Sequence, residues 1–148
     1  MGESIKSRFK PSFPKKYKGD SDNIICRSSW ERRFCNYCDL NENILEWASE
    51  EFWIPYLDPT TNRVRRYFPD FFIKYKDKDS NIRRSVIEVK PMRETLEPKV
   101  TKGKSRKTLI NESMTYVKNQ AKWKAAREFC DDRKLEFKIM TEKELGIR

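Results

Sequence analysis

A chain of 148 residues has single-domain length, and 33 Lys and Arg against 23 Asp and Glu give a net charge of +10, which points to a polyanionic partner. With no apolar run of about 18 residues, a membrane-spanning helix is excluded. The complete absence of His removes His-based general bases, Ser–His and Cys–His nucleophiles and His metal ligands, so any chemistry rests on carboxylates and lysines. Nine Phe, six Tyr and four Trp concentrate the apolar content into large side chains, which argues for a folded domain with an aromatic core.

Met1 to Lys6 lacks the apolar segment of a secretory signal, and Lys6 stands where a myristoylation motif requires Ser or Thr, so an intracellular chain is expected. Residues 1–23 show no sustained period and read as a basic N-terminal arm, extended and suited equally to phosphate contact or docking and to a plain solubilising tail. Residues 24–148 read as one domain. Ser28-Ser-Trp-Glu31 has the spacing of a capping box, and Trp30, Phe34, Tyr37 and Cys38 recur at helical intervals, so a helix starts there. Cys35 and Cys38 have zinc-ligand spacing, but no second such pair exists. Cys26, Cys35, Cys38 and Cys130 are therefore expected as small buried hydrophobes. Ile44 to Trp47, Phe52 to Tyr56 and Val64 to Phe68 read as strands, the last two joined by the turn Asp58-Pro-Thr-Thr-Asn, so up to this point one sheet of mostly consecutive hairpins is expected.

The next stretch is Tyr67-Phe-Pro-Asp-Phe-Phe-Ile-Lys-Tyr75, a charged turn over 77–81, and Arg84-Ser-Val-Ile-Glu-Val-Lys90. Aromatic and β-branched residues on both sides of the turn predict a hairpin. A turn centred near Asp79 sets Tyr75 opposite Arg83, Phe72 opposite Val86 and Asp70 opposite Glu88. Strand alternation then places Lys90 on the face of Glu88, with Phe71, Ile73, Ile87 and Val89 on the other. Directly opposed carboxylates repel, and a divalent cation between them would resolve the conflict. The competing reading is a solvated strand face carrying ordinary charges, and the residues alone leave both open.

Met92 to Asn111 carries Lys99, Lys102, Lys104, Arg106 and Lys107 with almost no apolar content. It reads as a mobile basic loop, 92–111, able to close over a DNA backbone. From Ser113, the positions Met114, Val117, Ala121, Ala125 and Phe129 predict a long amphipathic helix on the sheet, with Lys118 and Gln120 placed toward the candidate site. Leu135 to Met140 alternates as a strand and Thr141-Glu-Lys-Glu opens a terminal helix, which makes the sheet partly parallel and the class α/β.

Pro69-Asp70 followed by Glu88-Val89-Lys90 at the end of a hydrophobic strand resembles the signature of the PD-(D/E)XK nucleases, and Glu31 resembles their N-terminal acidic residue. The order Trp-Glu-Arg-Arg-Phe, an aromatic strand ending Ile-Pro-Tyr, Arg-Arg-Tyr-Phe-Pro-Asp-Phe, Ile-Glu-Val-Lys, a basic helix and a short strand is similar to endonuclease subunits of heteromeric transposases. At this small size it is more similar still to phage head-completion nucleases, over about residues 20–145. The resemblance implies a restriction-endonuclease-like fold, a central mixed β-sheet flanked by helices, with 24–148 as a single nuclease domain. It further implies a DNA endonuclease dependent on Mg²⁺, with Mn²⁺ able to substitute. Asp70, Glu88 and the Val89 carbonyl would bind the metal, Lys90 would orient or deprotonate the attacking water, and Glu31 would complete the site. Duplex DNA is the implied substrate and head or neck proteins of a virion are implied partners, with action in the host cytoplasm during assembly or in the virion. Two other roles compete: a non-catalytic DNA-binding neck or plug protein, and a transposase-type subunit. Glu31 has a competing duty as well, since a Glu at that helical position can simply cap the backbone.

Overall fold

The computed structural model describes residues 6–146. In chain order the elements are β1 (Ser7–Phe9), β2 (Ile24–Cys26), α1 (Ser29–Leu40), β3 (Ile44–Ser49), β4 (Ile54–Asp58), β5 (Arg63–Tyr67), β6 (Phe71–Lys76), β7 (Ile82–Val89), α2 (Arg106–Asp132), β8 (Glu136–Met140) and α3 (Glu142–Leu145). Short 3₁₀ turns lie at Pro14–Lys16 and Met92–Thr95. The central sheet has the order β3-β6-β7-β8. β3, β6 and β7 are antiparallel neighbours, and β8 joins β7 in parallel after the α2 crossover. The expected mixed sheet flanked by helices is present.

Each face of the sheet carries its own core. Phe71, Ile73, Ile87 and Val89 alternate onto one face and pack with Phe34, Cys35 and Cys38 of α1 and with Trp47. On the other face Trp123 and Ala126 of α2 close over Ile54, Tyr56 and Tyr67, with Phe137 and Ile139 at the margin. All four cysteines are buried and free, in keeping with a packing role. Among the described residues no helix is long and apolar enough to span a membrane.

Four expectations need correction. The first concerns the N-terminal segment, whose residues 1–5 lie outside the described ones. From Ser7 onward it is not an extended arm: β1 pairs antiparallel with β2, and Phe9 and Tyr17 are buried edge-on against Trp47 with centroids 5.9 and 4.8 Å away. Lys16 donates to the carbonyls of Cys38, Asp39 and Asn41, which satisfies the orphan acceptors at the end of α1. The Asp39 carboxylate in turn accepts from the backbone N–H groups of Ser12 and Phe13. Elements of three residues show no periodicity, which is why the segment read as featureless.

Secondly, β4 and β5 form a separate two-stranded sheet rather than continuing the central one, since β3 pairs directly with β6. Thirdly, the basic loop is shorter than 92–111, because a 3₁₀ turn occupies its start and α2 begins at Arg106. Ser105 is the N-cap, its hydroxyl accepting from Thr108 N–H at 3.1 Å, so Arg106 and Lys107 are helical. Lastly, the buried stripe of α2 is Asn119, Trp123, Ala126 and Cys130. Met114 and Val117 are exposed, while Ala121, Ala125 and Phe129 lie at the edge of the core. The indole of Trp123 sets the helix phase, and a buried Asn in the stripe hid it from an apolar pattern.

Candidate active site

The β6–β7 hairpin has the expected register: Tyr75 pairs with Arg83, Phe72 with Val86 and Phe71 with Ile87. Continuing that register by one residue brings Asp70 to Glu88. Pro69 lacks an N–H and β6 begins only at Phe71, so the pairing of β7 would lapse at this point. The Asp70 carboxylate takes it over, its Oδ2 accepting from Val89 N–H at 2.8 Å. The turn between the strands is built by Asp77, whose Oδ1 accepts from the N–H groups of Asp79 and Asn81.

Asp70 therefore sits where burial and neighbouring charge both disfavour ionisation. Burial, then the carboxylates of Glu88 and Glu31, push its carboxyl well above the ordinary range, against the opposing pull of the Val89 N–H and the Lys90 ammonium. Glu88 is buried, 4% exposed, and only one of its oxygens has a partner: Oε2 receives a long 3.5 Å hydrogen bond from the Trp123 indole, while Oε1 has none. Such an orphaned carboxylate oxygen is costly unless a further group satisfies it. Tyr67 adds to the cluster. Its buried hydroxyl is held protonated by burial and by the nearby Glu88 and Asp70.

Glu31 combines the two duties the sequence left open. Ser28 caps α1 by accepting from Glu31 N–H at 3.2 Å, and the Glu31 carboxylate accepts from Arg27 N–H at 3.4 Å. It is also 4% exposed, and its charge contributes to the upward shift of Asp70. Burial raises the Glu31 carboxyl too, helped by Glu50. Glu50, which no sequence spacing ties to Asp70 or Glu88, belongs here: its N–H donates to Asp70 O and its carboxylate pairs with Arg27 Nε at 3.0 Å. Arg27, in the field of Glu50, Glu31 and Asp70, was also missed. Its one visible signal was its place beside the capping box.

Lys90 follows β7 directly, and its N–H donates to Met140 O at 3.0 Å, so the neighbouring parallel strand fixes the backbone at this residue. The lysine of α2 that joins it is Lys122. Half-buried over the rings of Tyr56 and Tyr67, Lys122 is held below the ordinary lysine pKa by burial and by Lys90 and Lys118, with Glu88 and Asp58 opposing. Lys118 lies one turn away at 3.7 Å from buried Asp58, while half-buried Gln120 hydrogen-bonds to none of these groups among the described residues. Lys99, Lys102, Arg106 and Lys107 are exposed on the loop and the start of α2. Lys104 is turned inward, donating to Lys99 O and pairing with Glu112 at 3.0 Å. A cavity of about 780 Å³ opens between this loop and α2, with Leu96, Pro98, Tyr116 and buried Asn119 among its walls.

Among the described residues no three Asp, Glu or Cys side chains form a ready-made metal cage. Mg²⁺ does not demand one, since it is commonly held by one or two carboxylates together with substrate phosphate and water. The orphaned Glu88 oxygen beside the strongly perturbed Asp70 is a donor set of that hard, oxygen-only kind, so the residues present fit such an ion.

A family model described as TnsA-like endonuclease N terminal matches residues 41–142. The match takes in Asp70, Glu88 and Lys90 and begins after Glu31. The head completion nuclease of Enterobacteria phage T4 is 38% identical over 130 residues, which covers 86% of this chain and 84% of that protein. The mixed sheet is thus that of a restriction-endonuclease-like fold, and the protein is a nuclease. Within that class the chain belongs to the TnsA-like endonuclease family and is related to the phage head completion nuclease.

Proposed function

We propose that this protein is a Mg²⁺-dependent DNA endonuclease of the PD-(D/E)XK type that hydrolyses phosphodiester bonds during phage head completion, on or near the packaged genome end. The observation that carries the reading is the opposition of Asp70 and Glu88 across the β6–β7 hairpin, with Asp70 driven upward by its neighbours and one Glu88 oxygen left without a partner. A surface charge pair would be solvated or matched by a cation; here Glu88 is buried and Asp70 half-buried beside it.

Asp70, Glu88 and the Val89 carbonyl would hold the ion, which when bound lowers the pKa of a water and neutralises charge on the phosphate. The chain supplies the remainder. Trp123 fixes one Glu88 oxygen and so aims the other. Lys90 Nζ accepts or orients the proton of the attacking water and donates to a phosphate oxygen as its charge grows. Glu31 would complete the acidic cluster beside Asp70, while Lys122 adds positive charge near Glu88. Exposed Lys99, Lys102, Arg106 and Lys107, with Lys118 on α2, approach the DNA backbone.

Nicking of supercoiled plasmid by the purified protein tests this. Cleavage is expected with Mg²⁺ or Mn²⁺, none with EDTA, and none from Lys90→Ala under either condition. Duplex binding with no nicking in either metal would favour the structural plug instead. Cutting that persists in EDTA would end the metal-site reading.

A further inference from the structure

The β4–β5 hairpin leaves an outward face that the catalytic reading does not use. Ile54, Tyr56 and Asp58 alternate inward to α2; on β5 Arg63, Val64, Arg65 and Arg66 are all exposed, with Arg63 and Arg65 on the side of Asp58 and Tyr56 and Val64 and Arg66 on the outer face. The register places Leu57 opposite Val64 and Pro55 opposite Arg66. With Trp53 at 45% exposure, Leu57 at 56% and Val64 at 72%, the outer face is an apolar strip. Arg66 stacks over Trp53 at 4.7 Å, and Arg65 is committed to Asp58 at 3.1 Å. Among the described residues neither Arg63 nor Arg66 has an ion pair or a side-chain hydrogen bond acceptor, so their guanidinium edges are free. Among the described residues no other strand pairs with β4 or β5, and both edges of the ribbon are open.

We propose that this hairpin is a DNA-groove element: a two-stranded ribbon that enters the groove beside the scissile phosphate, with Arg66 on its outer face and Arg63 at its turn end reaching flanking phosphates and Trp53, Leu57 and Val64 against the groove wall. The proposal rests on the reading of the protein as a DNA nuclease. An apolar strip on an open ribbon calls for a partner, since such surfaces otherwise invite aggregation. Charge decides which. A second copy would set these arginines against their like on a chain of net charge +10, whereas a polyanion complements them. Two strands about 4.8 Å apart with their side chains suit a major groove about 12 Å wide. Reach agrees as well. Arg66 precedes Asp70 by four residues and so lies within about 14 Å of chain, and Arg63 within about 25 Å, less than one DNA turn. Buried Asp58, bound by Arg65 from the hairpin and Lys118 from α2, holds the ribbon rigidly in that position.

The test measures binding of the full chain to a short labelled duplex in EDTA, so that nothing is cut, across a salt series. For the Arg63→Ala/Arg66→Ala double variant, the slope of log affinity on log salt should fall by about 1.8 and affinity near 0.1 M salt by about 50-fold. Val64→Asp should weaken binding separately, and neither variant should move the melting temperature. A wild-type slope retained in the double variant, where the wild type itself binds steeply, overturns the hairpin proposal and leaves the nuclease reading standing. A wild type that shows no salt-dependent duplex binding removes both. Sedimentation showing a wild-type dimer that Val64→Asp dissociates would assign the strip to a second copy and overturn the proposal.

Discussion

At Asp70 and Glu88, stability and activity should part company. Glu88→Gln removes one of two mutually repelling charges in a buried place. It is expected to abolish metal-dependent cleavage while leaving the metal-free melting temperature unchanged or slightly higher; a variant that still nicks plasmid would contradict the assignment. The pH dependence follows from the direction of the Asp70 shift. Its folded pKa is raised above the ordinary 3.8, so between the two values the folded state holds a proton that the unfolded chain has released. That contribution is fully present below the ordinary value and is lost as pH rises through the folded one. Melting of the chelated protein should therefore decline with rising pH, and Asp70→Asn should flatten the decline; parallel curves for the two proteins would refute it. Lys122 allows a third comparison. Lys122→Met keeps the stem that lies over Tyr56 and Tyr67 while removing the charge, so cleavage should fall with little change in melting, and equal losses in both would mark it as structural.

Among the elements, the N-terminal segment makes the plainest test. Phe9 is 3% exposed against Trp47, and Phe9→Ala should cost about 3–5 kcal/mol in denaturant unfolding. An arm would lose no more than about 0.5 kcal/mol. The hairpin register and its facing acids could be read from the chain because alternation, a Pro stop and an Asp-rich turn all act locally. So could the α1 cap and the Thr141–Glu144 capping box of α3, which the structure contains in full. What could not be read depends on distant partners. Lys16 makes sense only once the carbonyl end of α1 is beside it, Arg27 and Glu50 only once β3 meets β6, and Lys122 only once Trp123 has set the turn of α2.

For the whole molecule, the +10 charge predicts duplex affinity that falls steeply with salt and varies little with sequence, since phosphate contact dominates; a flat salt dependence would contradict it. The same molecule should keep its melting temperature in a strong chelator. Cys26 and Cys35 approach at 3.5 Å as buried thiols, and no described cluster of acids or thiols forms a metal cage that holds the fold together. A drop in melting temperature on chelation would show a structural metal.

The parallel seam between β7 and β8 bears on when the proposed activity can arise during synthesis. Glu31, Asp70 and Glu88 all precede α2, and an antiparallel hairpin can form as soon as β7 leaves the ribosome. The backbone of Lys90, however, hydrogen-bonds to Met140, and β8 cannot dock until the whole of α2 has been synthesised and packed. A nascent chain halted before β8 holds the acids but lacks the strand that seats the lysine. On the proposed reading, a chain truncated before β8 should therefore fail to nick plasmid although it holds every acid of the site, and nicking by such a truncation would contradict the role given to the seam.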